Sequence, residues 1–198
     1  MIDQSFIFLK SGIRASLVNV KVHKPDYIAL CCYAKTHASF VDCSLIGGSG
    51  SSFIGGNDCT GAIGIMEEAE ACMENCLVSK MDRTCAINLY SKATFTAFKS
   101  KFIDLGCAIA SSGKSHCEIS HCRFEESEKP LQHLPAAIYT ADDSSVFCEG
   151  SFFRGDIFAV EVEGCRSKAE LKSCVLAKMP YVASAGTNAH EIGSNFKK

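Results

Sequence analysis

The sequence predicts an all-β solenoid of about seven coils, each of 22 to 24 residues folded as three short strands. Three observations carry this prediction: an eight-residue unit that recurs seven times, a pair of apolar residues two apart upstream of each unit, and a column of charged residues between them. The unit runs small, any, large apolar, two variable, Cys or small, any, large apolar. It occurs as 15–22, 38–45, 71–78, 95–102, 117–124, 145–152 and 169–176. The starts are 23, 33, 24, 22, 28 and 24 residues apart, so one period recurs and two intervals carry extra residues.

Within the unit, positions one and three alternate as one strand, and positions six and eight as another, with a bend between. The upstream pairs Ile7/Leu9, Leu30/Cys32, Ile63/Ile65, Ile87/Leu89, Ile109/Ser111, Ile138/Thr140 and Val160/Val162 supply the third strand. Stacking puts like over like. The eighth-position column sets Phe102, Phe124 and Phe152 on consecutive coils, where offset ring stacking adds to burial. The sixth-position column reads Val20, Cys43, Cys76, Ser100, Cys122, Gly150 and Cys174. Leucine-rich repeats share this core spacing but require a further Leu three residues before the first core position. Those places hold Gly12, Lys35, Glu68, Lys92, Lys114, Asp142 and Arg166, which suit an exposed turn and exclude a buried leucine column.

Over about residues 5 to 183 the coil period and the steps Asp42-Cys43 and Asn75-Cys76 resemble the right-handed parallel β-helix repeat proteins. That architecture is shared by pectate-lyase-like enzymes and by the β-helix regions of F-box and SHC-binding scaffold proteins. The resemblance implies a right-handed parallel β-helix and two divergent uses, polysaccharide cleavage and protein scaffolding. At a strand spacing of about 4.8 Å, seven coils make a rod on the order of 30 Å long. The expected organisation is one domain over 1–184, with insertions at 46–60 and 125–135, and a polar tail or loose cap at 185–198. Strand character already at Phe6 leaves no capping helix, so missing sequence, a partner or a second copy is expected to cover the N-terminal coil.

With 198 residues, 47% of them hydrophobic, the chain can bury a sizeable core. A net charge of −2 gives no global field that recruits nucleic acid or an anionic membrane, and neither is an expected partner. The apolar run from Phe6 to Leu9 is too short for a signal-peptide core or a membrane span. Thirteen cysteines, an odd number placed largely at core positions, read as free thiols in a reducing intracellular compartment, cytoplasmic or nuclear.

Both insertions leave the same corner, three coils apart, with about 15 Å between their bases. They are either binding loops or tolerated surface loops. Phe53, Ile54, Leu131, His133 and Leu134 are the candidate binding residues within them, because their exposure has no core explanation. Lys101 and Arg123 follow, on the outward seventh position beside Lys99, as a small basic patch for an acidic peptide or as solvated charges. Glycosidic-bond cleavage needs paired carboxylates or a base with a cation. The outward face of the upstream strand reads Ala29, Cys31, Ala62, Gly64, Ala86, Asn88, Ala108, Ala110, Ala137, Tyr139, Ala159 and Glu161, with one carboxylate. This strip of small residues either admits a close-approaching loop or partner, or simply relieves crowding. Asp142 and Asp143 sit in a turn, where Asp is common for backbone reasons. The register separates His116 and His121, in turns, from Cys117 and Cys122, in core columns, so no metal is expected. The Gly-rich insertion lacks a phosphate-cradling motif, and no cofactor is expected. The sequence reading is a non-catalytic β-helix module that binds a protein or peptide through sheet faces and same-edge loops. The alternatives are a carbohydrate-active or carbohydrate-binding β-helix and a structural subunit of a larger assembly.

Overall fold

Apolar residues at spacing two, broken every few residues by turn formers, dictate short strands. Parallel stacking then follows from the period, because each strand meets its own counterpart one coil on. The computed structural model describes residues 7–23, 30–47, 51–54, 57–60, 63–81, 85–126, 136–155, 158–177, 189–192 and 195–197. They form three parallel sheets of seven, eight and eight strands and one two-stranded hairpin, with no helix among them. The first sheet comprises Ile7–Lys10, Leu30–Tyr33, Ile63–Met66, Cys85–Leu89, Cys107–Ser111, Ala136–Thr140 and Phe158–Val162. Its register aligns Ile7, Leu30, Ile63, Ile87, Ile109, Ile138 and Val160. The chain is therefore the parallel β-helix that its period predicts.

The second sheet comprises Arg14–Val18, His37–Val41, Glu70–Glu74, Thr94–Phe98, His116–Ser120, Ser145–Glu149, Lys168–Lys172 and Ala189–Ile192. The third comprises Lys21–His23, Ser44–Ile46, Leu77–Ser79, Lys101–Ile103, Arg123–Glu125, Phe152–Arg154, Val175–Ala177 and Asn195–Lys197. In one coil the register differs from the sequence reading by one residue. Cys117 pairs with Val146, not Ser145, and Phe124 pairs with Phe153, not Phe152. A one-residue slip exchanges the two faces of a strand. Val146, Cys148 and Phe153 are therefore core, while Phe147 and Phe152 face outward and are half-buried. The phenylalanine stack persists with the corrected member: ring centroids lie 4.9 Å apart for Phe102 and Phe124 and 4.6 Å for Phe124 and Phe153, with the ring planes nearly parallel.

The cause of the slip lies in the bend between the second and third sheets. Each coil turns there through one residue in the left-handed region: Asn19, Asp42, Asn75, Lys99, His121, Gly150 and Ser173. Gly150 takes that place without steric cost, and this fixes Ser151 as the next core-corner residue. The corner column thus reads Cys43, Cys76, Ser100, Cys122, Ser151 and Cys174, and each side chain donates to the carbonyl two residues back. Each of these carbonyls already accepts the N–H of a bend residue in the preceding coil, so the short Cys or Ser donor supplies a partner for the second lone pair and satisfies its own polar atom. The serines also accept from the preceding coil, Cys76 N–H to Ser100 Oγ at 3.1 Å and Cys122 N–H to Ser151 Oγ at 3.0 Å. The charged column lies on the exposed corner between the first and second sheets, where Glu68 bridges Lys35 and Lys92 at 3.7 and 3.3 Å.

Two further differences concern the first sheet. Ala86, Ala108, Ala137 and Ala159, read as outward, are buried and pack into the main core. Ala86 and Ile87 both belong to the main core, so strict alternation fails there and the strip loses these four alanines; Ala110 stays half-buried, and Ala29 and Ala62 lie outside the described residues. The first insertion is not a loose loop: Ser51–Ile54 and Asn57–Thr60 form an antiparallel hairpin, and its second strand lies against Cys85–Leu89. Beside it the outward residues Cys31, Gly64, Met66 and Asn88 are buried, and Cys31 and Met66 form a small apolar cluster with Tyr33 and Tyr90. At the other end, residues expected as a tail or loose cap contribute the strands Ala189–Ile192 and Asn195–Lys197 to an eighth, partial coil.

Candidate interaction faces

Parallel stacking turns each outward position into a row of side chains about 4.8 Å apart, so a surface site on this fold is a set of neighbouring rows. On the third sheet one row reads Lys21, Ser44, Leu77, Lys101, Arg123, Phe152 and Val175. Lys101 and Arg123 are adjacent and exposed, as the sequence reading requires of a patch. Arg123 Nε donates to Glu125 Oε1 at 2.6 Å, and its guanidinium lies 5.0 Å from the centre of the Phe152 ring. The register slip creates this contact, because it turns Phe152 out beside the arginine. Leu77, Ile103 and Val175 are half-buried around the pair. Lys99 departs from the patch: its ammonium sits 4.7 Å from the Phe98 ring, on the second-sheet side of the bend. Lys21 stands three coils away. Of the loop candidates, Phe53 and Ile54 occupy the hairpin strand paired with Asp58 and Asn57, while Leu131, His133 and Leu134 lie outside the described residues.

The second-sheet face, which no sequence motif singles out, carries most of the polar constellations. His37 Nδ1 lies 3.2 Å from Glu70 Oε2, and Lys172 Nζ lies 2.9 Å from Glu149 Oε1. His116 joins Ser145 Oγ at 2.8 Å and Glu118 Oε1 at 3.0 Å, which also corrects its placement, since it begins a strand and not a turn. Serine, imidazole and carboxylate in this order are the parts of an activated nucleophile. Acyl transfer also needs N–H donors at the developing oxyanion. The N–H groups of His116, Ser145 and Lys168 are all spent on carbonyls of the preceding coil, at 2.9 to 3.0 Å. Glu118 is 59% exposed, so water screens the carboxylate that would hold the imidazole. Thus engaged, the N–H groups of His116, Ser145 and Lys168 are not free to serve as oxyanion donors. On the first sheet, Glu161 is half-buried beside Tyr139, its register neighbour, with one carboxylate oxygen unpaired.

None of the twelve cysteines whose side chains are described is disulfide-bonded. Burial pushes the Cys32 thiol up to about 12 and those of Cys76 and Cys122 up to about 11, and it raises Cys117 further. Such thiols stay protonated at neutral pH, and they act as packing and as donors instead of nucleophiles. Cys117 packs in the core, His121 is exposed in its turn, and among the described residues no three His, Cys, Asp or Glu side chains converge as metal ligands. A similar small donor signature, Cys or Ser after a left-handed residue, is the sequence signal that would have placed Phe152 outward.

No protein-family model matches the chain, and a search of curated proteins returns no match. Among solved structures, a trypsin-treated variant of QnrB1, a plasmid-mediated fluoroquinolone resistance protein, aligns over 93% of this chain and 92% of its own at 8% identity, with a TM-score of 0.20. The fold assignment rests on the chain's own three parallel sheets, which define it as a parallel β-solenoid.

Proposed function

We propose that this protein is a non-catalytic β-helix interaction module, and that the third-sheet strip of Lys101, Arg123 and Phe152 is its principal docking face for a protein or peptide. The observation that carries this reading is the Arg123 guanidinium held over an outward Phe152 ring amid half-buried Leu77, Ile103 and Val175. Arginine and aromatic residues ringed by apolar contacts are the composition of interface hot spots. Lys101 adds a cation that selects an acidic partner segment. Phe53 and Ile54, in the hairpin that lies against the first sheet, are proposed as a separate contribution to docking together with Leu131, His133 and Leu134, which lie outside the described residues. An odd number of cysteines, placed largely at core positions, supports residence in a reducing compartment, cytoplasmic or nuclear. A structural-subunit role and carbohydrate binding are the competing uses of the same scaffold. Affinity capture with the intact chain, with Lys101→Glu/Arg123→Glu and with both insertions shortened tests the proposal. Loss of one specific protein from the charge-reversed form supports it. Retention of every partner by both altered forms, or cleavage of a uronate polymer by the intact chain, refutes it.

A further inference from the structure

The second and third sheets present opposite charge over the same four coils. On the second sheet the strands Glu70–Glu74, Thr94–Phe98, His116–Ser120 and Ser145–Glu149 contain four glutamates and no Lys or Arg. Glu70, Glu74 and Glu118 are exposed and Glu149 is half-buried, and the register sets them among the half-buried outward rings of Phe98 and Phe147. On the third sheet the matching strands Leu77–Ser79, Lys101–Ile103, Arg123–Glu125 and Phe152–Arg154 carry Lys101, Arg123 and Arg154 against Glu125. These charges already have neighbours: Glu70 lies 3.2 Å from His37 Nδ1, Glu118 3.0 Å from His116 Nε2 and Glu149 2.9 Å from Lys172 Nζ, while Arg123 meets Glu125. All lie at the surface, where such pairs exchange partners at little cost.

Stacking gives both faces the same spacing. Lys101 and Arg123 stand on adjacent coils, as do Glu118 and Glu149, so each pair is set about 4.8 Å apart along the solenoid. An extended peptide repeats its same-side residues at about 6.8 Å and falls out of step with such rows, whereas a second parallel solenoid laid alongside stays in step coil for coil. We infer, on the reading of the third-sheet strip as a docking face, that a second copy of the chain lays its second-sheet face on that strip. Phe98 and Phe147 of one copy then pack among Leu77, Ile103 and Phe152 of the other, and the glutamates meet Lys101, Arg123 and Arg154. The contact joins two different faces, so every pair keeps one face of each kind open and association continues past the dimer. Four coils and strands of three to five residues give a face of about 19 Å by about 10 to 16 Å, roughly a third of a standard interface. The association is therefore weak, and in dilute solution it leaves the strip free for another partner.

The test is sedimentation equilibrium of the full chain from about 10 µM to about 0.5 mM, at low and at high salt. The wild type is expected to gain mass past the dimer as concentration rises, and to return toward the monomer in high salt. Lys101→Glu/Arg123→Glu and Glu118→Lys/Glu149→Lys each lose one face and should associate at least about tenfold more weakly. An equimolar mixture of the two should regain association, because each supplies the face that the other lacks. Far-UV circular dichroism should show both variants folded, and Glu118→Gln/Glu149→Gln, which keeps the side-chain shape, should weaken association as well. A wild type that stays monomeric, one that stops at a dimer, or a mixture that stays monomeric would overturn the inference. If the chain is monomeric but Lys101→Glu/Arg123→Glu still loses a captured protein, the second copy is overturned and the docking face stands. If that protein is retained too, both fall.

Discussion

Phe152 and Phe153 are adjacent, chemically identical and opposite in role, so truncating each in turn tests the register of the coil that differs from the simple repeat. Phe153 is fully buried and stacked on Phe124 at 4.6 Å, and its removal empties a volume walled by well-packed neighbours. Phe153→Ala should cost about 4 kcal/mol from lost transfer energy and the remaining cavity, with the lost ring pair included. Phe152 is half-buried and its ring meets the Arg123 guanidinium at 5.0 Å. Phe152→Ala should cost no more than about 1 kcal/mol, most of it the cation–π contact and partial burial. The assay is urea denaturation followed by far-UV circular dichroism. Because both residues lie in one coil, any uncoupling between distant coils affects the two variants alike. A Phe152→Ala penalty equal to or larger than that of Phe153→Ala would refute the register and, with it, the outward aromatic on the proposed docking face.

Other expectations follow from single corners and pairs. Cys122→Ser should be nearly neutral, since Ser100 and Ser151 fill the same column, and Cys122→Val should cost no more than about 1 kcal/mol in the same denaturation assay, because the Ser120 carbonyl loses a weak thiol donor but keeps the Lys99 N–H at 3.1 Å. Gly113→Ala should be clearly more destabilising than Gly12→Ala: both have positive φ, but a Cβ at 113 would lie 2.8 Å from the Ser91 nitrogen, while at 12 it meets nothing within 4 Å. The φ strain alone costs about 1 kcal/mol, and the backbone clash adds about as much again. The Lys172 ammonium beside Glu149 holds that carboxyl below its usual range, and Glu149 holds Lys172 above its own. The carboxylate's contribution is therefore full above the ordinary carboxylate range and fades as pH falls through it; the lysine's is full below the ordinary lysine range and fades as pH rises past it. Melting temperatures of the wild type and Lys172→Met should accordingly differ most between these limits and converge beyond them and in high salt.

The fold was legible to the extent that one residue type dominated a column. The first-sheet column from Ile7 to Val160 was readable in full, because β-branched and leucine side chains two apart admit only one register. Where two phenylalanines stood side by side, hydrophobicity alone could not choose between them; the left-handed turn and its Cys or Ser donor decided, and Gly150 was the available clue. The alanines at the entry to the first sheet were misassigned because strict alternation fails at a bend. The surface was less legible. Lys101 and Arg123 were found from position, but their relation to Phe152 depended on the slip, and in the His116–Ser145–Glu118 array His116 and Glu118 are same-face neighbours of one strand, whereas Ser145, 29 positions from His116, is brought there only by the stacking register. The hairpin of the first insertion left no mark beyond glycine content, because a hairpin docked on a neighbouring face is selected by tertiary contact and not by local period.

The central claim, that a protein partner docks on the third-sheet strip, is met most directly by site-specific photo-crosslinking. A photoreactive phenylalanine analogue placed at Ile103, beside Lys101 and Arg123, should crosslink a discrete protein, and the product should disappear when Arg123→Glu is added. The same analogue at Thr96 on the second-sheet face should give no such product. A discrete product from Thr96 but not from Ile103, or one indifferent to Arg123→Glu, would contradict the assignment.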